Sequence, residues 1–156
     1  MTKRIFLLAL LLGATVATMA QRYVGGDISL LPSYEAKGAE YYDEAGVPID
    51  DPLAFFTSKG MNAMRLRLFV QPAHASAEDK GQGVCQDLDY IVPLAKRGKQ
   101  AGLRLLLDFH YSDSWADPAK QWTPRAWQGL DDETLAESLA QYRRGVLRRR
   151  EAEGAT

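Results

Sequence analysis

Along the chain the spacing of apolar residues switches between two and about three and a half, and each switch marks a new element. The stretch "YVGGDISLL", residues 23–31, predicts a short, glycine-broken strand. "DDPLAFFTSKG" predicts a helix with its punctuation intact: Asp51 can cap the N-terminus, Pro52 fits the first turn and Gly60 fits a left-handed stop. "MNAMRLRLFV", residues 61–70, reads as a strand with Met64, Leu66, Leu68 and Val70 on one face and Arg65, Arg67 and Phe69 on the other. "PAHASAEDKGQGVCQD" reads as a loop. Leu88, Ile91, Val92 and Ala95 then recur at helical spacing, with Gly102 as the stop. "LRLLLDFH" is nearly continuous in apolar residues, as a parallel strand covered on both faces would be. A long loop carrying Trp115, Trp122 and Trp127 follows. The last element is a helix from about Glu133 to Arg150, with Leu135, Leu139, Tyr142 and Val146 on one stripe.

Strands and helices therefore alternate, which predicts an α/β fold with a parallel sheet and right-handed crossovers. Two architectures satisfy that order, an open doubly wound sheet and a (β/α)8 barrel. The first turn, "GGDISLL", lacks the G-x-G-x-x-G spacing of a dinucleotide fold. No phosphate-binding loop, H-E-x-x-H or paired C-x-x-C is present, so the sequence supports neither a phosphate nor a zinc site.

Composition narrows the picture only a little. The chain has 156 residues, 25% of them charged, with a formal net charge of −1, and no basic excess argues for nucleic acid. The first residues are more informative. Lys3 and Arg4 precede an apolar run, Ile5 to Leu12, too short to span a bilayer. Thr18-Met19-Ala20 offers small residues for cleavage. Residues 1–20 are thus expected to be a signal peptide, and residues 21–156 a secreted domain, extracellular or periplasmic, with no membrane attachment after cleavage. Cys85 is the only cysteine, so no internal disulfide can form. It lies in a glycine-rich loop without a nearby histidine, a poor setting for a reactive thiolate.

The second strand discriminates between the architectures. Two arginines on one face of a strand otherwise fit for burial must find partners. Facing a barrel interior near its rim, Arg65 and Arg67 could meet carboxylates from neighbouring strands, with Asp108 and Asp27 as the candidates. Functional residues of a (β/α)8 barrel sit at the C-terminal ends of strands and in the loops that follow. Asp27, Arg67 and His110 all occupy such places. The loops add Tyr34, Tyr111, Trp115, Trp122 and Trp127 beside Asp, Ser and Lys. Flat apolar rings next to hydrogen-bonding groups suit sugar rings. Trp122 and Trp127 are expected to pack their loop down, and Trp115 to meet the sugar.

The blocks "GGDISLLPSYE", "GMNAMRLRLFVQP" and "GLRLLLDFHYSDSWADPAKQ" closely resemble the N-terminal third of family 53 glycoside hydrolases, the arabinogalactan endo-β-1,4-galactanases. The resemblance implies a (β/α)8 TIM barrel and retaining hydrolysis of β-1,4-galactan or arabinogalactan, the side chains of pectin. It implies that Asp27 is the first-strand acid and that Arg65 and Arg67 tune the catalytic carboxylates. It implies that His110 lines the cleavage subsite, that Asp108 supports the cluster, and that Asp113 and Trp115 face the sugar. The family's two catalytic glutamates stand at the ends of its fourth and seventh strands. "EAEGAT" falls where the fourth strand is due, so the expectation is three of eight β/α units and neither glutamate in this chain. No cofactor and no metal are expected within it; a structural Ca2+ would belong to the missing C-terminal part. Another glycanase of the wider clan, a mannanase or cellulase, and a non-catalytic sugar-binding α/β protein stay open as alternatives.

Overall fold

A computed structural model of the chain describes residues 22–155, and the expected signal peptide lies outside them. Strand β1 is Gly25–Asp27, shorter than the sequence suggested, because the chain turns at Ile28 and starts helix α1, Leu31–Ala36. Pro32 sits in the first turn of α1, where a missing N–H costs nothing. The apolar run 28–31 that suggested more strand is the buried entry to this helix.

Helix α2, Pro52–Ser58, has the expected punctuation. Asp51 accepts hydrogen bonds from the backbone N–H groups of Leu53 and Ala54, and Gly60 adopts φ of +93°. Strand β2 follows as Ala63–Leu68, with buried and half-buried residues in strict alternation. The region expected to be a plain loop contains a 3-10 turn, Pro72–His74, and a short helix α3, Ala77–Gly81, capped by Ser76. Helix α4, Leu88–Gln100, is capped by Asp87 and buries Ile91, Val92, Leu94, Ala95 and Gly98. Strand β3 is Arg104–Phe109, and a second 3-10 turn spans Arg125–Trp127. Helix α5, Asp132–Ala152, begins at the Asp131 cap and buries only Val146.

The three strands are parallel in the order β1-β2-β3, so the arginine-bearing strand is central and not a solvated edge. The register sets Asp27 beside Arg65, and Arg67 beside Asp108. Met64, Leu66 and Leu68 point to the helices and join Leu31, Leu53, Val92, Leu94, Leu103 and Ala155 in the core. Each leucine, valine or methionine among them contributes roughly 1.5–3 kcal/mol by leaving water. Gly98 lets α4 approach β2: a Cβ there would lie 2.1 Å from the sulfur of Met64. Val146 and Tyr142 of α5 close a second cluster on Leu68 and Ile91.

The opposite sheet face carries Arg65, Arg67, Leu106, Asp108 and His110. Strand β3 is therefore not covered on both faces in this structure: Leu106 is 62% exposed. This is the face that a (β/α)8 barrel turns inward, and the three β/α units form part of such a barrel. Among the described residues, no helix is long and apolar enough to cross a membrane.

Candidate active site

Parity and register together build a charged cluster on the inward face. Arg65 bridges two strands, donating through Nη1 to Asp27 Oδ2 at 2.7 Å and through Nη2 to Asp108. Arg67 turns to the same carboxylate, with Nη2 3.2 Å from Asp27 Oδ1 and Nε 2.9 Å from Oδ2. Asp27 thus faces two guanidinium groups from consecutive inward positions of β2. Ser29, fully buried, locks this arrangement. Its N–H donates to Asp27 Oδ1 at 3.0 Å, and its Oγ accepts from the N–H of Arg67 at 2.9 Å. Burial pushes the Asp27 carboxyl up, but the Ser29 hydrogen bonds and the Arg67 charge outweigh it and hold it below the usual range.

His110 stands at the end of β3, its side chain only 10% exposed. Its Nε2 lies 3.2 Å from Asp108 Oδ2, yet neither ring nitrogen meets hydrogen-bond geometry with a protein group. Burial, against the pull of Asp108 and together with the arginine charges, lowers its pKa and keeps the imidazole neutral at neutral pH. A nearly buried imidazole without a satisfied partner invites a ligand hydroxyl. Phe69 packs edge-on against it at 4.8 Å between centroids.

The next residue, Tyr111, takes φ of +48°, a conformation a bulky side chain rarely adopts. That twist throws the chain off the strand and stacks Tyr111 on Phe109. Trp115 returns over the cluster: the Arg67 guanidinium lies 4.7 Å from its ring centroid, and Phe69 meets its edge. Its buried Nε1 has no protein partner.

The structure brings Asp27, Arg65, Arg67, Asp108, His110 and Trp115 together. Asp113 stands apart from them. Its carboxylate accepts from the N–H of Gln71 at 3.0 Å and from the N–H of Arg125 at 2.8 Å, and lies 3.5 Å from His74 Nδ1. It ties its own loop to the segment 71–74 and to the turn at Arg125. Sequence reasoning missed Ser29 and His74. The D-x-S spacing of Asp27 and Ser29, a turn in which the carboxylate caps its own backbone, was the available signal for the first. Nothing local signals the second. Burial pushes the Cys85 thiol up despite a hydrogen bond from Tyr90, so it remains a thiol. Among the described residues, no group of three His, Cys, Asp or Glu could hold a metal ion.

Comparison with known proteins matches this arrangement to one family. The family model described as Glycosyl hydrolase family 53 matches residues 23–156. An arabinogalactan endo-β-1,4-galactanase of Cellvibrio japonicus is 39% identical over 142 residues, which cover 90% of this chain and 35% of that protein. A probable arabinogalactan endo-β-1,4-galactanase A of Neosartorya fischeri is 38% identical over 141 residues, covering 89% and 36%. The solved GH53 catalytic domain of Ignisphaera aggregans superposes with a TM-score of 0.74 at 34% identity, covering 84% of this chain and 36% of that one. The chain spans about a third of the length of the curated relatives it matches. With a parallel sheet, an arginine-rich inward face and a family match over nearly all described residues, the chain belongs to glycosyl hydrolase family 53.

Proposed function

We propose that this chain supplies one wall of the substrate cleft in a secreted endo-β-1,4-galactanase acting on galactan and arabinogalactan side chains of pectin. One observation carries the reading. Two inward arginines are pinned by carboxylates from both neighbouring strands, directly beside a nearly buried imidazole whose nitrogens have no satisfied protein partner. Such a cluster offers fixed positive charge and hydrogen bonds to a polyhydroxylated ligand.

The chemistry of the cluster assigns roles. A glycosidase general acid needs a carboxyl held protonated. Asp27 is held ionised by Ser29 and Arg67 and has no proton to give. It is therefore a scaffold for the arginines. We assign acid/base and nucleophile to two glutamates carried by strands other than β1–β3, with the separation of about 5–5.5 Å that retention requires. Arg65 and Arg67 hold positive charge near that nucleophile and favour its ionised form. His110, neutral, hydrogen-bonds the sugar next to the scissile bond.

Reducing-end release by the full-length protein from β-1,4-galactan, β-mannan and cellulose tests the substrate. Release from galactan alone is expected. Cleavage of mannan or cellulose with galactan untouched overturns the assignment.

A further inference from the structure

The three tryptophans of the loop after β3 have three different fates. Trp127 is buried against Tyr142 and Tyr111. Trp115 gives one face to the Arg67 guanidinium and its edges to Phe69 and His110. Trp122 is 67% exposed, so it does not pack its loop down as its sequence neighbourhood suggested. A packed tryptophan removes roughly 150–250 Å² from water, so an exposed indole forgoes several kcal/mol of stabilisation.

The surroundings of Trp122 say what could recover that energy. It lines a cleft of about 530 Å³ that His110 also lines. Asp117, Gln121 and Thr123 line the same cleft and offer carboxylate, amide and hydroxyl groups. Its size falls within the roughly 300–1,000 Å³ of small-molecule sites, and its make-up is theirs: an apolar wall with a few polar groups. His110 lines this cleft and belongs to the charged cluster as well, so the two adjoin at that side chain.

We propose that Trp122 is an outer sugar subsite. Its exposed ring stacks on the C–H face of a galactosyl unit, and the following units of the same chain run along the cleft toward His110. Asp117, Gln121 and Thr123 meet the hydroxyl rim. This inference rests on the galactan reading above and adds a specificity-determining residue to it.

Fluorine NMR of the full-length protein labelled with fluorotryptophan tests it, with the Trp122→Phe spectrum identifying the Trp122 signal. Titration with β-1,4-galactotetraose, in a background where the acid/base glutamate is replaced by Gln so that the ligand stays intact, is expected to shift that signal saturably. Trp122→Ala is expected to weaken Kd about tenfold, and Trp122→Phe, which keeps a stacking face, no more than about threefold. A saturable shift at Trp115 with Trp122 unmoved overturns the subsite and leaves the galactan reading standing. No saturable response from any tryptophan overturns both. Should Trp122→Ala fail to fold, the wild-type Trp122 shift and the Trp122→Phe affinity decide the matter.

Discussion

Replacing Asp27 by Asn removes one negative charge from between two guanidinium groups and leaves the shape of the site unchanged. The variant keeps one carbonyl oxygen, enough to accept from the N–H of Ser29. It loses the second charged acceptor and sets an amide N–H2 against an arginine. The Arg67 contact dominates the cost: the two side chains are 17% and 23% exposed, between the surface and interior regimes. Hydrogen bonds to charged groups contribute about 1.5–3 kcal/mol and exposed pairs about 0–1, which places this one near 2 kcal/mol. Arg65 adds little, since it is 41% exposed and keeps Asp108. With a urea m-value of about 2 kcal/mol/M, the unfolding midpoint should fall by about 1 M at neutral pH. The pH dependence supplies the second arm. The folded pKa of Asp27 is lowered, so its contribution is fully present above the unfolded value of about 3.9. It is lost as pH falls through the lower folded value. The gap between wild type and Asp27→Asn should therefore close in acid. An unchanged midpoint at neutral pH, or a gap that persists unaltered at low pH, would mean that the ionised Asp27 carboxylate does not stabilise the fold through Arg67.

Three other outcomes are expected. Gly25→Ala places a Cβ 1.9 Å from the carbonyl oxygen of Ala63, which backbone cannot evade, so β1 must move and carry Asp27 with it. A loss of roughly 2 kcal/mol or more should appear in denaturant unfolding, and a neutral variant would contradict the close pairing. Val146→Ala, at a 2% exposed position, should cost about 2 kcal/mol and selectively raise amide exchange in α5, because this is its single buried anchor. His110 should titrate below the ordinary value near 6.5 when followed by NMR. Because the unfolded chain takes up that proton first, His110 subtracts stability as pH drops below about 6.5, and a midpoint above that value would falsify the burial argument.

Where a feature depended on local chemistry, the sequence disclosed it. Asp51, Pro52 and Gly60 punctuate a helix because capping and left-handed φ are short-range properties. The alternation in β2 placed Arg65 and Arg67 on one face, and a parallel neighbour on each side was enough to nominate Asp27 and Asp108 as partners. Two helices were missed for different reasons. The run "SLLPSYEA" is apolar enough to pass for strand, and only the turn at Ile28 makes it α1. In "SAED", Ser76 caps the N–H of Asp79, a spacing that does signal α3. Asp113 and the tryptophans show where reading stops. Whether Asp113 faces ligand or clasps Gln71 and Arg125 depends on loops brought together by the fold. Trp122 and Trp127 sit five residues apart in similar company, yet only Trp127 meets Tyr142 of α5.

Proton NMR of a fresh digest of β-1,4-galactan by the full-length protein reads substrate and stereochemistry together. The first new reducing ends should appear as the β-anomer and then mutarotate. First products in the α-anomer would contradict retention, and an unhydrolysed galactan would contradict the assigned substrate itself.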